Sequence, residues 1–334
     1  MEAQMTLLEA VTYFKNYENC HQFMVQLRWP DGIVRCPRCG SDHVKYLEKA
    51  RVWKCYGKHD HAKFSLKTGT IFEDSPLGLD KWMPAVWQVV NCRNGISSWE
   101  LHRALGVTQK TAWFMLHRVR LAMQDTFAGG MLGGECEIDE TFIGGKARNM
   151  HKDKRLKMKG AKSNWELANK TIVLGLLERE TEKKPRRVRT SVIPDRKRDT
   201  IAPEVQAHIE AGSKVYSDDY GSIWGQNIGS MYEQEMVSHF EQYVKGNVHT
   251  NTLENFWSLL KRGIGGTYIS VEPFHLFRYV DEQAFRYNNR KHIDGTVITD
   301  YERFRSALSR IVGRRLTYAE LTGKEAQTTS KEAF

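Results

Sequence analysis

Three acidic residues, far apart in this 334-residue chain, occupy two kinds of predicted secondary structure. Asp139 lies within Glu135–Phe142, whose residue alternation predicts a strand, and Asp218 ends a second strand-like run. Glu254 lies in Asn251–Gly263, which has the periodicity of an amphipathic helix. Two strand-borne carboxylates and one helix-borne carboxylate can hold a pair of hard divalent cations over a phosphodiester. The pattern therefore predicts phosphoryl transfer on nucleic acid.

The neighbours of these acids complete the predicted site. Asp218 and Asp219 point in opposite directions on a continuous strand, so only one belongs to the site, and Asp218 is favoured. Lys261 follows Glu254 by two helical turns and would neutralise a phosphate or position a strand. The predicted outward face of the helix comprises Glu254, Trp257, Ser258 and Lys261. The predicted buried stripe comprises Leu253, Phe256 and Leu260.

Three cysteines form an incomplete metal-binding pattern in the first part of the chain. Cys36-Pro-Arg-Cys39-Gly is a knuckle whose two thiolates can close on one tetrahedral ion, and Cys55 follows a short predicted hairpin. His59 is the preferred fourth ligand and His61 is the alternative, because both lie within reach of Cys55. Since the segment has too little apolar content to fold unaided, it predicts a structural Zn²⁺ ribbon rather than a catalytic metal site.

The segment Asn94–Arg120 has the form of two helices joined by a tight turn, with Gly106 ending the first and Thr108 capping the second. In a helix-turn-helix motif, the N-terminal residues of the second helix enter the major groove of DNA. A plain helical hairpin has the same pattern, but the adjacent zinc ribbon and the basic charge favour DNA binding. The predicted outward face carries Gln109, Lys110, Trp113, His117 and Arg118.

The charge of the chain favours a polyanionic partner. The formal net charge is +10 and the sequence pI is about 9.2. No run of about 18 apolar residues is present that would span a membrane, and the first residues lack a signal-peptide pattern. We therefore expect a protein that acts on the nucleoid, in the cytoplasm.

Composition and periodicity divide the chain into regions that together predict an α/β protein. The predicted regions are a helical lead (1–28), a zinc ribbon (29–72), a helix-turn-helix region (76–126), a catalytic domain (134–292) with a basic excursion (146–170), and a C-terminal helical region with a disordered tail (293–334).

Five stretches of the chain resemble the DDE-type transposases of bacterial insertion sequences, and specifically the insertion sequence 1595 family. The stretches are Lys67–Glu73, Asn94–Ser98, Glu137–Lys146, His249–Gly263 and Phe285–Arg290. Together they are highly specific, and the resemblance extends from Cys36 to about Arg290.

This resemblance implies an RNase H-like mixed sheet with flanking helices. It implies that Asp139, Asp218 and Glu254 hold two Mg²⁺ (or Mn²⁺) ions, with Lys261 as the accompanying base. It also implies an enzyme that binds the terminal repeats of its element, cleaves the ends and joins them to target double-stranded DNA. Because two ends must meet, a homodimer or larger assembly on DNA is expected.

Two departures from the family pattern concern ligands. Part of the family carries an asparagine at the third acidic position, and here Asn251 and Asn255 flank Glu254, so either could assist or replace it. A histidine also stands in place of the fourth cysteine of the zinc ribbon.

Two other functions fit the same residues. The first is a metal-dependent DNA nuclease on the same fold, which cuts without joining. The second is a non-enzymatic DNA-binding regulator with inert acids, which leaves the acidic pattern unexplained.

Overall fold

Two units make up the protein in its structure, which is a computed structural model. The first unit joins Met1–Gln124 to Ile298–Phe334, and the second consists of Asp125–Val297. The structure describes residues 5–124, 130–145, 152–153, 170–182, 184–218, 231–237 and 250–324. The basic excursion predicted at 146–170 lies largely outside the described residues, and so does the predicted disordered tail.

The helices and strands of the described ranges are numbered here in chain order. The helices are α1 (Leu7–Phe14), α2 (Tyr17–Arg28), α3 (Leu79–Asn91), α4 (Ser98–Leu105), α5 (Gln109–Met123), α6 (Arg198–His208), α7 (Asn251–Gly263), α8 (Leu276–Asn288), α9 (Asp300–Ser309) and α10 (Tyr318–Thr322). The strands are β1 (Val44–Leu47), β2 (Val52–Cys55), β3 (Lys63–Phe64), β4 (Glu135–Ile143), β5 (Thr171–Glu178), β6 (Arg187–Ile193), β7 (Lys214–Asp218) and β8 (Glu233–Val237). None of these helices is long and apolar enough to cross a membrane.

Local sequence signals set the ends of α4 and α5. Ser97 and Glu100 form a capping box at the start of α4, which satisfies backbone N–H groups that would otherwise lack partners. Gly106 adopts the left-handed conformation (φ 63°) that ends α4, as the sequence predicts. The Thr108 side chain accepts a hydrogen bond from the Thr111 N–H and caps α5, also as predicted.

Helix α9 packs into the core of the first unit. Phe304 is fully buried, and its ring lies 5.2 Å from that of Trp87 on α3, between centroids. Arg303 of α9 donates at 2.7 Å to Oδ1 of Asn91, the last residue of α3. The C-terminal segment that begins at Ile298 therefore packs against the N-terminal helices. No local sequence pattern indicates this association.

The same C-terminal segment covers a face of α5 that the sequence predicts to be outward. His117 is fully buried and Arg118 is only 4% exposed. Arg118 donates to the Glu73 carbonyl at 2.7 Å and to the Leu316 carbonyl at 3.2 Å, which offsets the cost of burying its charge. The prediction that His117 and Arg118 face outward is therefore wrong: both side chains are buried, and Arg118 is bound by carbonyl groups distant in sequence.

Each unit contains one β-sheet among the described residues. Strands β1, β2 and β3 form an antiparallel sheet in the first unit. The second unit has a mixed five-stranded sheet in the order β6-β5-β4-β7-β8. Strands β4, β5 and β6 pair antiparallel, whereas β4, β7 and β8 pair parallel. This order and direction confirm the RNase H-like mixed sheet.

Helix α7 packs on this sheet through an apolar stripe. Its buried residues include Leu253, Phe256, Trp257 and Leu260. Three of them match the predicted stripe, but Trp257 was assigned to the outward face and is only 4% exposed. That assignment is wrong, because the apolar ring of the indole packs on the sheet and its N–H donates to Asp139 of β4.

A glycine in β5 allows α7 to approach the sheet closely. A Cβ atom at Gly175 would lie 2.6 Å from Trp257 Cζ2 and 2.9 Å from Leu253 Cδ1, which is closer than real side chains approach. Gly175 pairs with Asp139 across β4 and β5, so the close approach occurs beside the predicted site.

The Gly175→Ala substitution is expected to destabilise the second unit by about 1–3 kcal/mol, because the added methyl group overpacks the helix–sheet interface. Urea unfolding midpoints of the two proteins would measure the difference. Gly266→Ala is the matched control, since a Cβ there has no heavy atom within 4 Å. Equal midpoints for Gly175→Ala and the wild type would contradict this account of the packing.

A buried carboxylate fixes the start of α7 to the sheet. Glu137 of β4 is fully buried and accepts a hydrogen bond from the Leu253 N–H at 2.8 Å. Its other oxygen accepts from Arg179 Nε, also at 2.8 Å. The N-terminal N–H groups of a helix carry partial positive charge, so α7 and Arg179 together offset the cost of burying this carboxylate.

The Glu137→Gln substitution is expected to lower the free energy of unfolding by about 2–3 kcal/mol, because it removes the charge that Arg179 and the helix N-terminus share. Glu135→Gln is the matched control: Glu135 also pairs with Arg179, at 3.1 Å, but its side chain is 41% exposed. An exposed pair contributes only about 0–1 kcal/mol. Equal losses in the two variants, measured by urea unfolding, would contradict the role of burial.

Candidate active site

Asp139 lies in the middle of β4, at the centre of the sheet, and both oxygens of its carboxylate accept hydrogen bonds. Its Oδ2 accepts from the Trp257 indole Nε1 at 2.9 Å. Its Oδ1 accepts from the Glu140 backbone N–H at 2.8 Å. The side chain is half-buried, which combines fixed orientation with access from solvent.

The backbone of Asp218 lies beside Asp139 in the sheet. Strand β7 runs parallel to β4, and their register ends with Ile138 next to Ser217. Asp139 and Asp218 are the residues that follow this last pair, so their positions are neighbours on strands about 4.8 Å apart. The side chain of Asp218 lies outside what the structure describes, and Asp219 does so entirely.

Glu254 lies on the exposed side of the first turn of α7. It precedes Trp257 by three residues, and side chains at this spacing are neighbours on a helix surface, with Cβ atoms about 5–6 Å apart. Glu254 therefore lies one helical turn from the residue that contacts Asp139.

The other predicted residues of α7 share its exposed surface. Lys261 is exposed, two turns beyond Glu254. Asn251 and Asn255 are exposed as well, on either side of Glu254, so their predicted assisting role stays a prediction. All of these side chains leave the helix away from its buried stripe.

The predicted zinc ligands lie together, with Cys55 at the end of β2 and the other three in the loops of the ribbon. The ligand atoms of Cys36, Cys39, Cys55 and His59 all lie within 4.8 Å of one another. Cys36 Sγ is 3.5 Å from His59 Nε2, and Cys39 Sγ is 3.6 Å from Cys55 Sγ. Tetrahedral zinc with ordinary bond lengths spaces its ligands by about 3.5–3.8 Å, so this set of donors fits the ion.

The ribbon geometry separates the two candidate histidines. His59 lies in the cluster, whereas the cluster does not include His61, whose backbone is in the left-handed region (φ 59°). The His61 carbonyl accepts a hydrogen bond from Arg38, at 2.8 Å. The structure therefore brings His59, and not His61, to the three cysteines.

Hydrogen bonds around the cluster favour the thiolate of Cys36. Burial raises the pKa of Cys36, but hydrogen bonds from the backbone of Arg38 and Cys39 and from the Cys39 and Cys55 side chains outweigh it and lower this pKa to about 7. A Cβ at Gly57 would lie 3.1 Å from Cys39 Sγ and 3.3 Å from Cys55 Sγ. Gly57 thus leaves the room that the sulfur atoms occupy, a requirement that sequence reasoning missed.

The remaining DNA-binding candidates lie on the first turns of α5. Lys110 is exposed, with its Nζ 4.7 Å from the centre of the Tyr318 ring. Gln109 is half-buried and donates to Ser98 Oγ at 2.8 Å. Trp113 is half-buried, and its ring packs edge-on against His117 at 4.6 Å. Their predicted contact with DNA stays a prediction.

Trp257, Gly175 and Glu137 were not assigned to the site from the sequence. A glycine inside an otherwise apolar strand is a recognised sign of close backbone or side-chain approach, and Gly175 gave that signal. The contacts of Trp257 and Glu137 join β4 to α7 across more than a hundred residues, and no local pattern encodes them.

Comparisons with known proteins agree with both parts of this description. A family model described as the ISXO2-like transposase domain matches residues 131–288, and one described as the transposase zinc-ribbon domain matches residues 15–57. Both models carry the name of insertion sequence 1595.

One relative is described as an uncharacterized protein in transposable element ISH50 of Halobacterium salinarum. It is 26% identical over 254 residues, which cover 75% of this chain and 83% of the relative.

Among solved structures, the chain has a distant likeness to a chain of a simian T-cell lymphotropic virus intasome in complex with PP2A regulatory subunit B56 gamma. The identity is 10% and the TM-score 0.26, with 58% of this chain and 66% of that chain covered. The two family models identify the parts of the chain without it: residues 15–57 and 131–288 match the zinc-ribbon domain and the transposase domain that are named for insertion sequence 1595.

Proposed function

We propose that this protein binds the terminal repeats of its insertion sequence and catalyses Mg²⁺-dependent cleavage and strand transfer of DNA. The observation that supports this most is the meeting of three elements. Asp139 and Asp218 are neighbours on the central parallel strands, and Trp257 ties α7 to Asp139 one turn from Glu254.

In this proposal the three acids form one metal-binding site. The chemistry that a bound pair of Mg²⁺ or Mn²⁺ ions supplies is activation of water or of a 3′-hydroxyl, and stabilisation of the leaving oxygen. Asp139, Asp218 and Glu254 hold the ions, since hard cations prefer carboxylate oxygens. Lys261, exposed on the same helix, neutralises a DNA phosphate. No covalent protein intermediate is required for either step.

The first unit serves as the DNA-binding part. Its zinc ribbon and the α4–α5 pair hold the terminal repeat, with Gln109, Lys110 and Trp113 at the start of α5. The net charge of +10 supports binding to the DNA backbone through counterion release. Two DNA ends must be brought together for joining, so the active species is a dimer or larger assembly on DNA. Because its substrate is DNA, the protein acts on the nucleoid.

Cleavage and joining of DNA that carries the element's own terminal repeats is expected to require Asp139, Asp218 and Glu254. Each alanine variant should lose both products in Mg²⁺, because one ligand of the metal site is missing. Asn251→Ala should be milder. Glu272→Ala, which removes an exposed acid outside α7, is the matched control and should keep activity. Gel analysis of cut and joined products measures the outcome.

Three other outcomes would overturn the proposal. Cutting without joining by the wild type would indicate a nuclease on the same fold. Repeat-specific binding without any cutting would indicate a DNA-binding regulator. Full activity in the Asp139→Ala variant would show that the acids do not form the site.

The zinc content is expected to depend on His59 and not on His61. Purified wild type and His61→Ala should each contain about one zinc per chain, because the Cys₃His set is intact. His59→Ala should lose most of the metal, and His59→Cys should restore it by supplying a fourth thiolate. Elemental analysis measures the ratio. Equal zinc in His59→Ala and His61→Ala would contradict the assignment.

A further inference from the structure

Trp257 connects the catalytic helix to the central acid of the sheet. Its indole Nε1–H donates to Asp139 Oδ2 at 2.9 Å, while its ring is almost completely buried. The ring lies over Gly175, where a Cβ atom would come within 2.6 Å of it. Gly175 is also the residue of β5 that pairs with Asp139. The indole therefore fills the space beside Asp139 that the glycine leaves open.

We propose that Trp257 is a positioning residue that orients the Asp139 carboxylate for binding a divalent cation. The inference rests on the proposed function, in which Asp139 is a metal ligand. A free carboxylate rotates readily about its last torsion angle, because that torsion has broad energy minima. The Trp257 N–H on one oxygen and the Glu140 N–H on the other fix the plane of the carboxylate.

A hydrogen bond to each oxygen does not prevent a carboxylate from binding metal, since each oxygen has two lone-pair sites. Ligating carboxylates in metalloproteins are usually held by such outer hydrogen bonds, whose loss costs about 10–100-fold in metal affinity or activity. Asp139 sits on a strand and is reached by a donor from a helix, so its orientation depends on a contact between two elements.

The same contact relates Asp139 to Glu254. Glu254 lies one helical turn before Trp257, so the hydrogen bond that orients the strand-borne acid also connects it to the helix that carries Glu254. Glu137 holds the start of α7 independently, through the Leu253 N–H. Loss of the indole donor should therefore loosen the metal site while α7 remains on the sheet.

A purely structural role for Trp257 makes a different prediction. If the indole served only as packing, removal of its N–H with the ring retained would leave metal binding unchanged. The substitution Trp257→β-(3-benzothienyl)alanine tests this, because sulfur replaces the N–H in a ring of nearly the same shape. Trp257→Phe removes the N–H with a smaller ring. Trp99→Phe, at an indole that is 59% exposed on α4, is the control.

Mn²⁺ binding to the zinc-loaded, DNA-free protein is the measurement, with free Mn²⁺ quantified by electron paramagnetic resonance. Both Trp257 variants are expected to bind Mn²⁺ about 10–100-fold more weakly than the wild type and Trp99→Phe. The thermal midpoint of the benzothienyl variant should stay close to that of the wild type. Unchanged Mn²⁺ affinity in that variant would overturn the inference.

The Asp139→Ala variant separates this inference from the proposed function. If it binds Mn²⁺ as tightly as the wild type, then Asp139 is not a metal ligand and both proposals fall. If it loses Mn²⁺ while the benzothienyl variant binds normally, then the proposed function stands and only the positioning role of Trp257 falls.

Discussion

The buried carboxylate of Glu137 is the interaction on which the geometry of the second unit depends. A charge with no exposed surface requires compensation, and here the compensation comes from the backbone at the start of α7 and from Arg179. One side chain of the central strand thereby fixes where a helix more than a hundred residues later begins. The position of Glu254 follows, because it lies in the first turn of that helix.

The second constraint is the close approach of α7 to the sheet at Gly175. The missing side chain admits the Trp257 ring, and the indole N–H reaches Asp139. Together with the parallel pairing of β4 and β7, this places α7 over the central strands of the sheet, beside Asp139. Each contact is a single hydrogen bond or a packing contact, and together they hold α7 against β4 and β5.

Local patterns predicted the strands that carry Asp139 and Asp218, the caps of α4 and α5, and the cysteine spacing of the ribbon. These features depend on residues that are close in sequence. The outward placement of Arg118 was wrong because the segment around Leu316 covers it. Trp257 was assigned to the outward face although it is buried. An indole has both an apolar ring and a polar N–H, so helical periodicity alone does not decide which face it takes. Both errors concern contacts between distant segments, which no local window contains.

In the proposed function, Asp139, Asp218 and Glu254 hold the same divalent ions. Iron-mediated cleavage of the protein backbone tests it most directly, with Fe²⁺ in place of Mg²⁺ and hydroxyl radicals generated at the bound metal. We predict cuts near all three residues, suppressed by excess Mg²⁺ and absent in the Asp139→Ala variant. Cuts confined to one of the three segments, or cuts insensitive to Mg²⁺, would contradict a shared site.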